Sequence, residues 1–62
     1  MTEVIKDKSF RIIAYIETDN NGNKIIKNSS FRICGYYDPK TNITKNSSFT
    51  VIGYGNLLMT LI

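Results

Sequence analysis

The side chains able to do chemistry are few and scattered. The chain of 62 residues has no histidine, one cysteine, five carboxylates and eight Lys or Arg residues. Without His the usual general base is missing, and the carboxylates Glu3, Asp7, Glu17, Asp19 and Asp38 show no paired spacing. Asp19 and Asp38 fall in Asn/Gly-rich and Pro-containing stretches, where an Asp side chain serves the backbone of a turn. A single Cys excludes an internal disulfide, and without His it also excludes a zinc site of ordinary composition. Cys34 recurs in register with Ile13 and Ile52, so it is expected to pack as a small buried apolar group. Gly53-Tyr54-Gly55 leads into no helix and makes no phosphate loop. These residues predict no catalytic activity, no metal and no cofactor.

One pattern has chemical content of another kind. Arg11 precedes Tyr15 as Arg32 precedes Tyr36, Tyr54 completes the tyrosine column, and Lys6, Lys27 and Lys45 form a second column. Basic and aromatic residues on one sheet face can track single-stranded nucleic acid or another polyanion by stacking and phosphate contact. The candidate face is Arg11, Lys27, Arg32, Tyr36, Lys45 and Tyr54. Against it, net charge is only +3, the basic residues are interleaved with acids, and no strand motif of known RNA binders occurs. A solvated face with Tyr rings under Arg stems is therefore the preferred reading, and nucleic acid is not an expected partner.

The elements that must position these residues are written as a repeat. Lys8-Ser9-Phe10-Arg11-Ile12-Ile13-Ala14-Tyr15 returns as Ser29-Ser30-Phe31-Arg32-Ile33-Cys34-Gly35-Tyr36 and as Ser47-Ser48-Phe49-Thr50-Val51-Ile52-Gly53-Tyr54. Each unit has an apolar-basic lead, Val4-Ile5-Lys6, Ile25-Ile26-Lys27 or Ile43-Thr44-Lys45. The repeats span 4–16, 25–37 and 43–55 within a single domain, 1–62, followed by an apolar segment, 56–62. Phe10 and Phe31 are 21 residues apart and Phe31 and Phe49 are 18 apart. The difference lies wholly in the connectors, as expected if the repeated part packs and the rest is surface turn.

After each Phe the residues alternate. Phe10, Ile12, Ala14 and Ile16 are expected on one face, with Arg11, Ile13 and Tyr15 on the other; period two with β-branched and aromatic residues predicts strand. Asp19-Asn20-Asn21-Gly22-Asn23 and Asp38-Pro39-Lys40-Thr41-Asn42 have hairpin-turn chemistry. Asp7-Lys8-Ser9, Asn28-Ser29-Ser30 and Asn46-Ser47-Ser48 mark a further bend inside each unit. The fold class is all-β, six short strands in three two-stranded repeats, ended by a strand or helical turn. An antiparallel meander is favoured over a short β-solenoid because the turns are hairpin turns.

Such a sheet needs a second layer, and the chain has no helix long enough to supply one. The column Ala14, Gly35, Gly53 permits close approach. Residues 43 to 62 carry one charge, Lys45, and end Leu57-Leu58-Met59-Thr60-Leu61-Ile62, an exposed apolar patch if left in water. Six residues cover little of a six-stranded face, so burial between chains is preferred over folding back. The expectation is a homo-oligomer, with a dimer favoured, joined through Phe10, Phe31, Phe49, Leu57, Leu58, Met59, Leu61 and Ile62. No apolar run suits a signal peptide or a bilayer span, which reads as a cytoplasmic chain with no membrane association. The sequons at Asn28, Asn42 and Asn46 then read as turn chemistry rather than glycosylation sites.

The stretch Gly22-Asn23-Lys24-Ile25-Ile26-Lys27-Asn28-Ser29-Ser30-Phe31-Arg32-Ile33-Cys34-Gly35-Tyr36 resembles the short β-hairpin repeats of small bacterial proteins, approximately Gly-x-Ile-x-Asp/Asn-x-x-Gly-x-Ile-Gly-Tyr. The chain departs from that pattern in placing Phe where those repeats have Gly. The resemblance implies an antiparallel repeat scaffold and brings no catalytic residue. The functional expectation is a small self-associating scaffold or protein-interaction module.

Overall fold

The computed structural model describes all 62 residues, Met1–Ile62. Its strands are β1 (Thr2–Lys6), β2 (Ile12–Thr18), β3 (Lys24–Asn28), β4 (Ile33–Asp38), β5 (Ile43–Asn46) and β6 (Val51–Tyr54), and Leu58–Leu61 forms a short 3₁₀ helix. They make one antiparallel sheet in the order β1-β2-β3-β4-β5-β6, the meander that the hairpin turns predict, neither a closed barrel nor a solenoid. No helix is long and apolar enough to cross a membrane.

The bends inside the repeats and the connector at Asp19 share one turn. In each, an Asp or Asn accepts backbone N–H bonds on Oδ1 from the residues two and four positions on: Asp7 from Ser9 and Arg11, Asn28 from Ser30 and Arg32, Asn46 from Ser48 and Thr50, Asp19 from Asn21 and Asn23. The carbonyl of the same residue accepts from the N–H three positions on, which belongs to Phe10, Phe31, Phe49 or Gly22. This is a type I turn followed by a left-handed residue, a three-residue hairpin loop whose last position ordinarily takes Gly. Gly22 has φ +84, but Phe10, Phe31 and Phe49 have φ of 63, 63 and 64. At Asp38-Pro39-Lys40-Thr41-Asn42 the left-handed residue is Asn42, φ 58, whose side chain accepts from the Tyr37 hydroxyl at 2.8 Å.

The expected simple alternation after Phe is corrected by a β-bulge in every unit. Lys6 pairs with Ile12 but Ile5 with Ala14, leaving Ile13 unpaired; Cys34 and Ile52 are left out in the same way. The extra residue switches the faces. Phe10 and Ile12 thereby lie on the Tyr15 face, while Ile13, Ala14 and Ile16 turn to the other. Cys34 is half-buried and packs against the core from its bulge.

Six of the 62 residues are buried, and the core proper is Ala14, Ile16, Ile26 and Leu58. Accessible surface is 4390 Å², close to the roughly 4,100 Å² of a compact chain of this mass, so what is scarce is enclosed volume. The chain's own tail folds back over one face as a second layer, the less favoured of the two sequence readings for this segment. Leu58 is fully buried, and the 3₁₀ helix rests on β4. A Cβ at Gly53 would come within 2.7 Å of Leu57 Cδ1; one at Gly35 would overlap Leu61 Cδ1 and lie 2.7 Å from the Lys45 carbonyl oxygen. The column of small residues is therefore the seat of the tail.

Buried Thr44 fastens that tail. Its Oγ1 donates to the Gly55 carbonyl at 2.5 Å and accepts the Leu57 N–H at 3.0 Å. Leu58→Ala is expected to cost about 2–5 kcal/mol, against a total near 3–9 kcal/mol for this length. Met59→Ala, one residue on but half-exposed, should stay within about 0.5 kcal/mol. Thr44→Val should cost about 1–3 kcal/mol by orphaning the Gly55 carbonyl and the Leu57 N–H. Urea denaturation of the three variants checks this; equal midpoints for Leu58→Ala and Met59→Ala would mean that the tail is not seated.

Candidate interaction face

The face opposite the tail holds the residues singled out as chemically informative. Register places Tyr15 against Lys27 and Tyr36 against Lys45, continues from Lys27 to Ile33 and from Lys45 to Val51, and sets Ile43 against Tyr54. Opposed residues point to the same side, so Tyr15, Tyr36 and Tyr54 share this face with Lys6, Lys27 and Lys45. The left-handed phenylalanines join them: Phe31 stacks on Tyr15 with centroids 4.4 Å apart at 15°, and Phe49 on Tyr36 at 4.6 Å and 10°.

Each stack links two repeats. Tyr15 lies on the second strand of the first unit and Phe31 in the internal turn of the second; Tyr36 and Phe49 join the second unit to the third. A Phe in the left-handed region costs about 1–2 kcal/mol, and an aromatic pair returns about 0.5–1.5 kcal/mol beyond its buried area. The two ends of the series have no such return. Phe10 is 83% exposed and Tyr54 76%, against 63% and 64% for Phe31 and Phe49.

The residues expected at a self-association surface divide between the faces. Phe10, Phe31 and Phe49 lie on the tyrosine side. Leu57, Leu58 and Leu61 lie on the other, against the sheet, with Met59 and Ile62 half-exposed at its surface. The polyanion set divides as well. Lys27, Lys45, Tyr36 and Tyr54 share the tyrosine face, whereas Arg11 and Arg32 close their turns opposite Asp7 and Asn28, on the side away from Ile12 and Ile33. Lys27 is already engaged by Glu17, Nζ to Oε2 at 2.8 Å, leaving Lys6 and Lys45 as the unpaired ammonium groups of this face.

An open groove of about 400 Å³ runs over the middle of the face, floored by Ile25, Ile43 and the Tyr36–Phe49 stack, with Lys45 and Asp38 beside them. Its make-up suits apolar contact flanked by two charges of each sign, Asp19 and Asp38 against Lys24 and Lys45. The four residues of the groove floor were visible in sequence; their convergence was not, because it requires the bulge. The one available signal was the spacing of the turn, since Asn28 to Phe31 equals Asp19 to Gly22 and so puts Phe in a glycine position.

No family model matches the chain, and no curated protein or solved structure matches it. The molecule is placed by its own geometry alone, as an all-β repeat of hairpins in a single sheet.

The unequal surroundings of the three phenylalanines give a test. Phe10→Gly should stabilise by about 0.5–1 kcal/mol, the relief of a left-handed Phe less the added freedom of the unfolded chain. Phe31→Gly should show no gain, because the stack on Tyr15 goes with the strain. Phe31→Ala should be the worst of the three, keeping a strained residue without its ring. Thermal midpoints in that order would support the stacks; a gain at Phe31 equal to that at Phe10 would show them to be energetically empty.

Proposed function

We propose that the protein is a non-catalytic β-repeat scaffold or protein-interaction module that works by self-association. The observation that carries this reading is the uncovered tyrosine face. The tail covers one face of the sheet, and nothing in the chain covers the other, where Val4, Ile12, Ile33 and Val51 are 40–49% exposed beside the phenylalanines. Contiguous apolar surface rimmed by polar groups characterises contact sites on soluble proteins. The cysteine is single, and the carboxylates Asp7 and Asp19 are committed to their turns, which favours a role in contact over one in chemistry.

Binding of a polyanion to the same face is the other class of function, supported by the Tyr–Lys register. It is weakened by the Glu17–Lys27 ion pair and by Arg11 and Arg32 lying on the far side. Sedimentation velocity from micromolar to millimolar concentration tests the main reading, with reversible growth in mass expected; a monomer throughout would overturn it. A labelled single-stranded oligonucleotide should bind weakly, with a salt slope no steeper than about −1.4, since about −0.7 attends each phosphate contact and only Lys6 and Lys45 are unpaired on this face. Saturable binding at physiological salt that Lys45→Ala abolishes would favour the polyanion.

A further inference from the structure

The two half-stacks at the ends of the series are complementary, and the strands that carry them are the two edges of the sheet. Inside the molecule the seam between units has a fixed set of parts. At β2·β3 it pairs Ala14 with Asn28 and Tyr15 with Lys27, and Phe31 stacks on Tyr15. At β4·β5 it pairs Gly35 with Asn46 and Tyr36 with Lys45, and Phe49 stacks on Tyr36. Edge strand β6 offers the first half of that seam, Gly53 and Tyr54. Edge strand β1 with its turn offers the second half, Lys6, Asp7 and Phe10.

We infer that a second copy of this chain docks head to tail, β1 of one copy adding antiparallel to β6 of another so that Phe10 stacks on Tyr54. The register follows from the internal seams: Gly53 opposite Asp7, Tyr54 opposite Lys6, Gly55 opposite Ile5. This rests on the self-association proposed above and specifies its geometry. The interface is heterologous, and each added copy presents a fresh edge, so the product is an open series and not a closed dimer.

Three features of the edges favour this docking. Phe10 has φ 63, matching Phe31 and Phe49, so the backbone that aims its side chain is already in place without a partner; a backbone held in its bound conformation loses little freedom on association. The bulge at Ile52 does not blunt the β6 edge, because β2 and β4 carry the same bulge at Ile13 and Cys34 and still pair on their outer sides. Lys6 on the β1 edge stands where Lys27 and Lys45 pair across internal seams, and so belongs to the seam where an edge lysine elsewhere would guard against it. The chain's own continuation does not fill the place, since Gly55 at φ 87 leads it off the sheet towards the tail. Two β6 edges paired about a twofold axis would leave both Tyr54 rings without a phenylalanine.

The test uses two variants of the full chain that spare the core, Phe10→Gly and Tyr54→Thr, each checked for unchanged circular dichroism. Wild-type protein in sedimentation velocity is expected to show dimer, trimer and higher species growing with concentration. Either variant alone should associate about three- to tenfold more weakly, the loss of one stack. An equimolar mixture of the two should recover one wild-type seam, Phe10 of the Tyr54→Thr chain on Tyr54 of the Phe10→Gly chain, and stop at a heterodimer. Wild-type association that neither variant weakens, or a closed dimer that the mixture does not restore, would overturn the head-to-tail docking while leaving self-association standing. A wild-type monomer at millimolar concentration would overturn both.

Discussion

The fold depends on closing a single sheet with very little material. A sheet of six strands has two faces, and folding needs at least one of them to exclude water. Here the only cover is the tail, and it works because the sheet is hollowed beneath it. Gly35 and Gly53 lack the Cβ atoms that would strike Leu61 and Leu57, and Ala14 is buried in the same column. The approach is close enough that one 3₁₀ turn places Leu58 in contact with strands from separate repeats. Thr44 then converts the packing into a specific position by accepting from Leu57 and donating to Gly55. In the other units its place is held by Ile5 and Ile26; the change to Thr occurs where the tail has backbone groups to satisfy.

The opposite face is organised by a different constraint, backbone strain. Four turns share one hydrogen-bonding scheme, and the scheme needs a left-handed residue. Glycine meets that need at position 22 with no steric cost; Phe meets it at three positions, and at two of them, Phe31 and Phe49, the ring stacks on the neighbouring unit. In the interior the strain and the stack offset each other, so repeats are joined by side chains as well as by the ladder. The arrangement is quasi-one-dimensional along the ladder, and its consequence is that Phe10 bears the strain without a stack while Tyr54 has no ring upon it.

Much of this was legible in the residues. The hairpin turns at Asp19 and Asp38 and the recurring Ser-Ser-Phe gave the strand count and the meander, and the small column Ala14, Gly35, Gly53 marked where another layer would approach. The folding back of the tail was the less favoured reading because coverage was reckoned by residue number. A tail seated on glycines covers more of the core per residue than one resting on side chains, and a six-strand face needs cover only where its apolar residues lie. The sides taken by Phe10 and Ile12 were also misread. A bulge leaves no mark in composition, and one extra residue reverses every assignment before it. The sequence contained a corrective in the equal spacings Asp19 to Gly22 and Asn28 to Phe31, readable only once turns are aligned with turns instead of strands with strands.

Residues of the candidate face were harder to read because their meaning lies between repeats. Tyr15 and Phe31 are 16 positions apart and belong to different units, so a comparison of unit with unit shows each as a recurring residue and neither as a partner. The same holds for Lys27, which reads as one of three equivalent lysines until Glu17, which has no acidic counterpart in the third unit, is found beside it. Repetition in sequence thus reports the ladder that all units share. What distinguishes one face or one end from another comes from the exceptions: Glu17, Thr44, Thr50, and the unmatched rings of Phe10 and Tyr54. Those exceptions set the charge of the face, the anchorage of the tail and the chemistry of the two edges, and any contact the protein makes must be built from them.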